Sequence, residues 1–138
     1  MGTRSLIGYL QEDKVRFTYC HYDGYVEWTG KLLHEWFADR TLAISLIEGE
    51  GSIQSINPCV HGNGCKVERF PPDPDDIGPA ECDAGEFTPK EIEGVGWFEI
   101  EYFYLWDGEM WWVRSAHLPV MMMTVKDALT ISTKESSQ

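Results

Sequence analysis

The order of apolar and polar side chains at the start of the chain predicts a β-hairpin. An apolar run occupies residues 5–10, and a polar stretch at 11–14 separates it from a second run. In the second run Val15, Phe17 and Tyr19 alternate with more polar residues, which is the period of a strand with one covered face. We therefore expect residues 5–10 and 15–21 to form two paired strands.

After Asp23-Gly24 the apolar residues take up the spacing of a helix. Between residues 26 and 38 five of them recur at this spacing and predict an amphipathic helix: Trp28, Leu32, Leu33, Trp36 and Phe37. A second, shorter helix is predicted over residues 40–48, ended by Gly49 and Gly51.

The middle of the chain loses this regularity. Residues 52–87 are rich in Gly, Pro, Asp and Cys, and Pro71-Pro72-Asp73-Pro74-Asp75-Asp76 is the clearest such piece. This composition predicts a long irregular acidic loop or insertion, a kind of segment that is often functional. Thr88-Pro89-Lys90-Glu91 has the cap, proline and acid typical of a helix start, so a short helix is expected there.

Two aromatic strands are predicted late in the chain, over residues 98–106 and 110–115, joined by Asp107-Gly108-Glu109. Residues 120–129 favour a C-terminal helix, with a strand as the alternative. Two hairpins and two or three helices predict an α+β domain with an antiparallel sheet of about four strands and the helices packed on one face. We expect residues 1–138 to form a single domain.

Charge changes the picture more than length or apolar content. The chain of 138 residues has 43% hydrophobic residues, which suits one domain, and its net charge of −12 argues against direct binding to nucleic acid. Residues 68–109 contain thirteen acidic and two basic residues, so nearly all the excess lies in this segment. A segment of this kind favours a partner with a basic surface. The alternative is that the segment is a solvated acidic loop without a partner.

No apolar run has the length of a membrane-spanning helix and no secretory signal opens the sequence, so we expect a cytoplasmic protein without a membrane partner. Four cysteines in such a chain are more often free thiols or metal ligands than disulfides. Zinc is the one cofactor that the sequence suggests, through four residues of suitable type: Cys59, His61, Cys65 and Cys82. The alternative is four unconnected residues in a loop, and no cofactor at all.

Several segments resemble a group of short bacteriophage and prophage proteins of unknown function. The resemblance lies in Met1-Gly2-Thr3-Arg4-Ser5, in residues 19–25 (Tyr-Cys-His-Tyr-Asp-Gly-Tyr), in residues 30–35 and in the late hairpin at 101–108. Val26 departs from the group, which has proline there, and Cys82-Asp83-Ala84-Gly85-Glu86 replaces another of its segments. The resemblance implies phage origin and a shared scaffold, and it supplies no activity.

The segment of residues 19–25 also suggests chemistry of its own. Cys20 and His21 have the types of a nucleophile and its base, yet neighbours on a strand point to opposite faces and cannot bond to each other. A separate hypothesis uses other residues of this segment together with the N-terminus. In it the protein binds a small molecule or nucleotide, or is an enzyme, and its pocket uses Arg4, His21, Asp23 and Tyr25. In it Arg4 or Arg16 would hold a phosphate. The alternatives are that Arg4 pairs with an acid, His21 bonds to the turn and Asp23 shapes that turn.

The leading hypothesis is a non-enzymatic, phage-encoded accessory protein of an infected host cell. It would bind and inhibit or redirect a host protein with a basic surface, such as a defence or nucleic-acid enzyme, in the manner of a DNA mimic. Aromatic anchors beside carboxylates are typical of such contacts. The residues expected to make them are Asp73, Asp75, Asp76, Glu91, Glu93, Glu99, Glu101, Trp97, Tyr102, Trp106 and Trp111. A third hypothesis is a minor virion component.

Overall fold

A mixed β-sheet lies at the centre of the computed structural model, which describes residues 4–49, 51–59, 64–71, 79–83, 100–115 and 123–136. Within these ranges the sheet has eight strands. They are β1 (Ser5–Gln11), β2 (Lys14–Cys20), β3 (Ile53–Pro58), β4 (Cys65–Arg69), β5 (Ala80–Asp83), β6 (Tyr102–Trp106), β7 (Trp111–Ser115) and β8 (Met123–Thr124).

In the described part of the chain three α-helices accompany the sheet: α1 (Lys31–Trp36), α2 (Arg40–Glu48) and α3 (Val125–Ser136). A π-helical turn, Val26–Gly30, leads directly into α1. The start of α2 is fixed by Asp39, whose side chain accepts a hydrogen bond from the backbone N–H of Leu42 at 3.2 Å. No helix in the described ranges is long and apolar enough to cross a membrane.

The strand order is β4-β3-β2-β1-β6-β7-β8, and β5 pairs with β2 beside this path. Strands β1 and β2 form the predicted antiparallel hairpin, and so do β6 and β7. Between the hairpins β1 runs parallel to β6, with Ser5 opposite Tyr102. Strand β2 also meets β3 in parallel, at Cys20 and Ile53, and the first residues of β2 pair with β5. Residues distant in sequence therefore hold the sheet together.

The predicted antiparallel sheet of about four strands is wrong, because the sheet is mixed and has twice as many strands. Both predicted hairpins are present, but alternation within a strand does not show which strand lies next to it, and the neighbour of β1 is parallel. Of the segment 120–129, for which a helix or a strand was predicted, the described residues 123–129 contain both, since β8 is followed at once by α3. The helix predicted from Thr88 lies outside the described residues.

Three of the additional strands, β3, β4 and β5, lie in the segment 52–87 for which an irregular loop was predicted. A register shift between Ile53 and Ser55 interrupts the pairing of β3 with β4. Because of this irregularity Ile53 and Ile56 are both buried although they are three residues apart, which hides the strand period. Strands β4 and β5 expose every second residue and bury none fully, so their apolar signal is weak.

All three helices pack on one face of the sheet. The core on this face includes Leu33 of α1, Ile47 of α2, Val125 of α3 and, from the sheet, Ile7 and Tyr104. These side chains are fully buried. The apolar spacing in both predicted helices therefore marks several residues that face the sheet, such as Leu33 and Ile47.

The opposite face of the sheet is also buried. Its core consists of Leu6, Val15, Phe17, Tyr19, Ile100 and Phe103, none of which is more than 4% exposed. Gly8 lies within this face, where a Cβ atom would come 2.7 Å from Cγ1 of Val15. Strand β6 consequently contributes apolar side chains to both cores, and its aromatic residues do not form an open face.

Candidate functional site: a groove beside α1

A groove of about 320 Å³ lies between the π-helical turn, α1 and the end of the β3–β4 hairpin. Six of its lining residues come from the helical segment and two from the hairpin. They are Glu27, Trp28, Lys31, Leu32, Glu35, Trp36, Pro58 and Gly64.

The apolar wall of the groove is a row of residues that repeats every four positions, Trp28, Leu32 and Trp36. Leu32 is buried at the base, whereas the side chain of Trp36 is 37% exposed. The indole Nε1–H of Trp28 donates a hydrogen bond to the carbonyl of Ile56 at 2.7 Å. This bond ties the helical segment to β3 and fixes the orientation of one ring, while the other ring faces solvent.

Charged residues form a second row, one position earlier in each turn: Glu27, Lys31 and Glu35. All three are exposed, so the groove has two carboxylates and one ammonium group at its rim. The pKa of the Cys65 thiol is raised to about 11, mainly by burial and also by the nearby Cys59 and Glu35.

The three described cysteines proposed as zinc ligands do not come together at one site, because Cys82 lies apart from Cys59 and Cys65. Cys59 and Cys65 lie at the end of the β3–β4 hairpin, where the N–H of Cys59 donates to the carbonyl of Gly64 at 3.0 Å. Cys65 packs against the core on the helix side, and Cys82 packs against the core on the opposite side of the sheet. His61 lies outside the described residues. Within the part of the chain that the structure describes, no three His, Cys, Asp or Glu side chains are grouped to hold a metal ion.

His21 and Arg4, two of the four residues proposed for a nucleotide pocket, both lie near the hydroxyl of Tyr19. Nδ1 of His21 lies 2.6 Å from this hydroxyl. Burial lowers the pKa of His21, and the positive charge of Arg4 lowers it further. The same Arg4 counteracts the burial that raises the pKa of Tyr19 to about 12. The ring of His21 also makes edge contacts with Tyr22 and Phe70.

The other two proposed pocket residues shape the turn that precedes α1. The carbonyl of Asp23 accepts hydrogen bonds from the N–H and the hydroxyl of Thr29, and the carbonyl of Tyr25 accepts from the N–H of Trp28. Arg16, the second candidate for holding a phosphate, instead forms an ion pair with Glu48 at 2.7 Å. In these contacts Asp23 and Tyr25 act through their backbone carbonyls, and the guanidinium of Arg16 is held by Glu48.

Cys20 lies in the core, with no exposed surface. Burial raises the pKa of its thiol to about 12, although the neighbouring Ser5 and Thr29 oppose that effect. A nucleophilic cysteine needs access and a lowered pKa. Its environment is that of a packed structural thiol.

The aromatic residues proposed as partner anchors differ in exposure. Trp106 and Trp111 are 3% and 2% exposed, and their rings pack together with centroids 5.6 Å apart. The indole of Trp111 donates to the carbonyl of Phe37 at 3.0 Å. Both rings belong to the core because β6 and β7 pack beneath the helices, so they present no anchor to a partner. Tyr102 and Glu101 are half-buried.

The remaining proposed contact residues lie outside the described ranges: Asp73, Asp75, Asp76, Glu91, Glu93, Trp97 and Glu99. Four exposed carboxylates of the segment 68–109 are described, and they lie on separate elements. Glu68 is on β4, Glu81 and Asp83 are on β5, and Glu109 is in the β6–β7 turn. A segment that is continuous in sequence is thus divided in space.

The sequence interpretation missed the groove, although its signal was present. Trp28 and Trp36 were assigned to a buried helix face, and the parallel row of Glu27, Lys31 and Glu35 was not considered. Trp28 and Trp36 are eight positions apart, and so are Glu27 and Glu35. This spacing places each pair on one side of a helix and would have indicated a stripe of aromatic and acidic residues. Comparison with protein-family models, curated proteins and solved structures finds no match to this chain.

Proposed function

We propose that this protein is a non-enzymatic accessory protein that binds the basic surface of a partner protein. The observation that carries the proposal is the groove beside α1, where an exposed indole and two carboxylates surround an apolar base. Aromatic side chains supply contact area in protein interfaces, and charges at the rim accelerate and orient the encounter. The groove combines both.

The acidic segment 68–109 supports the same partner chemistry. Its thirteen acidic residues account for nearly all of the net negative charge of the chain, and a protein of this charge attracts a basic surface. In this proposal the segment steers the partner and the groove holds it.

The resemblance to phage and prophage proteins makes a host protein the partner that we propose. An enzyme that normally binds nucleic acid has a basic surface suited to an acidic competitor. Binding would then inhibit or redirect that enzyme inside the infected cell.

A pull-down from host lysate tests the proposal by comparing two charge variants with the natural sequence. One variant changes six acids of the segment to their amides: Asp73, Asp75, Asp76, Glu91, Glu93 and Glu99. The control changes Glu12, Asp13 and Asp127, three exposed acids outside the segment. We expect recovery of the partner to fall in the first variant and to remain in the second.

Recovery that is equal in all three proteins would overturn the role of the segment. Raising the salt concentration provides a second readout, because a steered encounter slows as ionic strength rises. A partner whose association rate does not respond to salt would contradict the proposal.

A further inference from the structure

We infer that the groove beside α1 binds an arginine side chain of the partner, an inference that rests on the proposed function and specifies its contact. The groove volume of about 320 Å³ is at the lower end of the roughly 300–1,000 Å³ range of small-molecule pockets. It suits one long side chain with its adjoining backbone.

The two indoles define the geometry of this contact. Trp28 is held by its hydrogen bond to Ile56, so its ring is fixed before a ligand arrives, and Trp36 presents an exposed ring one helical turn beyond Leu32. A guanidinium group is planar and weakly hydrated, and it stacks on aromatic faces. Leu32 provides an apolar base for the methylene groups that precede it.

Charge complementarity selects a cation as the occupant. Glu27 and Glu35 lie on either side of Lys31 along the helical segment, so carboxylates outnumber the ammonium group at the rim. A guanidinium can donate two parallel hydrogen bonds to one carboxylate, which a lysine ammonium cannot do. The ammonium group of Lys31 repels the same cationic ligand. Removing Lys31 should therefore raise the affinity, whereas removing a carboxylate should lower it.

The test uses three synthetic peptides that differ only in one central side chain: arginine, lysine or citrulline. Citrulline keeps the shape of arginine and removes its charge. Binding is followed through the indole N–H resonances of the full-length protein, with the Trp36 signal assigned from Trp36→Phe. We expect the arginine peptide to shift the Trp36 signal, the lysine peptide to bind more weakly and the citrulline peptide to leave it unchanged.

Variants of the groove extend the test. Removal of one aromatic or charged contact at an exposed site corresponds to about a two- to fivefold loss of affinity, which we expect for Trp36→Ala and for Glu35→Gln. Lys31→Ala should strengthen binding by a similar factor. Tyr22→Ala removes an exposed aromatic ring outside the groove and serves as the matched control. Glu35→Gln keeps all apolar packing, so it remains informative if Trp36→Ala fails to fold.

Two results would overturn the inference: equal binding of the arginine and citrulline peptides, or unchanged affinity in both Trp36→Ala and Glu35→Gln. The pull-down distinguishes this failure from failure of the proposed function. If partner recovery depends on the acids of 68–109 but not on Trp36 and Glu35, the arginine site is wrong and the binding function stands. If recovery depends on neither, the binding function fails as well.

Discussion

The guanidinium of Arg16 holds the carboxylate of Glu48 through two hydrogen bonds, Nε to Oε2 at 2.8 Å and Nη2 to Oε1 at 2.7 Å. The hydroxyl of Tyr9 donates a third bond to Oε2 at 2.6 Å. Tyr9 lies on β1, Arg16 on β2 and Glu48 at the end of α2, so the three side chains tie this helix to the first hairpin. The hydrogen bond from Arg16 is the main reason that the pKa of Glu48 is lowered.

Glu48→Gln should destabilise the fold, because it leaves the Arg16 charge without its anion. Hydrogen bonds to charged groups contribute about 1.5–3 kcal/mol, and we expect a loss of about this size in urea unfolding at neutral pH. Asp83→Asn is the matched control, since it removes the carboxylate of the exposed Lys14–Asp83 pair. Solvent screens an exposed pair of this kind, so the loss in Asp83→Asn should be much smaller. Equal losses in the two variants would contradict the assigned role of Glu48.

The same carboxylate gives a pH dependence of known sign. The pKa of Glu48 is lower in the folded protein than its usual 4.5. Its contribution to the free energy of unfolding is therefore complete above pH 4.5 and is lost as the pH falls through the folded pKa. The stability difference between the natural sequence and Glu48→Gln should therefore shrink in acid. Urea unfolding series at several pH values measure it. A difference that stays constant down to about pH 2 would show that the pKa is not lowered by folding.

Tyr104→Phe should also destabilise the protein. The hydroxyl of Tyr104 is completely buried and donates a hydrogen bond to the carbonyl of Gly24 at 2.6 Å. Its loss leaves that carbonyl without this donor, which costs about 1–3 kcal/mol. Thermal unfolding of Tyr104→Phe beside Tyr22→Phe measures the effect, since Tyr22 is 41% exposed and its substitution should change little. Similar melting temperatures for the two variants would argue against this bond.

Protonation of His21 should weaken the fold. Burial and the charge of Arg4 lower the pKa of His21 below its usual 6.5. The contribution of the neutral ring to the free energy of unfolding is therefore complete above pH 6.5 and is lost as the pH falls through the folded pKa. The neutral ring can accept the hydrogen bond from Tyr19, and the protonated ring cannot. Tyr19→Phe should thus cost more stability at pH 7.5 than in acid, once the pH has fallen through the folded pKa of His21. A cost that stays the same over a pH series that includes the protonation of His21, followed by NMR of its ring, would indicate that the bond does not depend on neutral His21.

The elements that were predicted best from the sequence are those whose ends and buried faces are determined by residues within the element or next to it. Helix α2 was predicted over 40–48 and is found at Arg40–Glu48, because Asp39 caps its start and Gly49 ends it. The parallel contact between Ser5 and Tyr102 has no local cause, since no pattern within β1 or β6 encodes the partner strand. The irregular register of β3 likewise removes the alternation by which a strand is recognised.

The candidate site was predicted less well, for a related reason. An indole at helical spacing has the same sequence signature whether it faces the core or a groove, and only the packing of α1 against β3 separates buried Leu32 from exposed Trp36. The opposite error occurred at Trp106 and Trp111, which lie in a hairpin that is covered by the helices. Exposure depends on the neighbouring elements, which the pattern of one segment does not contain.

Cys20 should resist thiol reagents in the native protein, because a thiol with no exposed surface and a pKa near 12 is neither accessible nor ionised at neutral pH. Cys59 and Cys82 are partly exposed and should react first, and Cys65 more slowly because its pKa is about 11. A short pulse of iodoacetamide followed by peptide mass spectrometry measures each residue separately. The control is the same pulse in concentrated urea, where all four cysteines should be modified alike. Modification of Cys20 as rapid as that of Cys59 in the native protein would place its thiol at an accessible surface and restore the hypothesis of a nucleophilic cysteine.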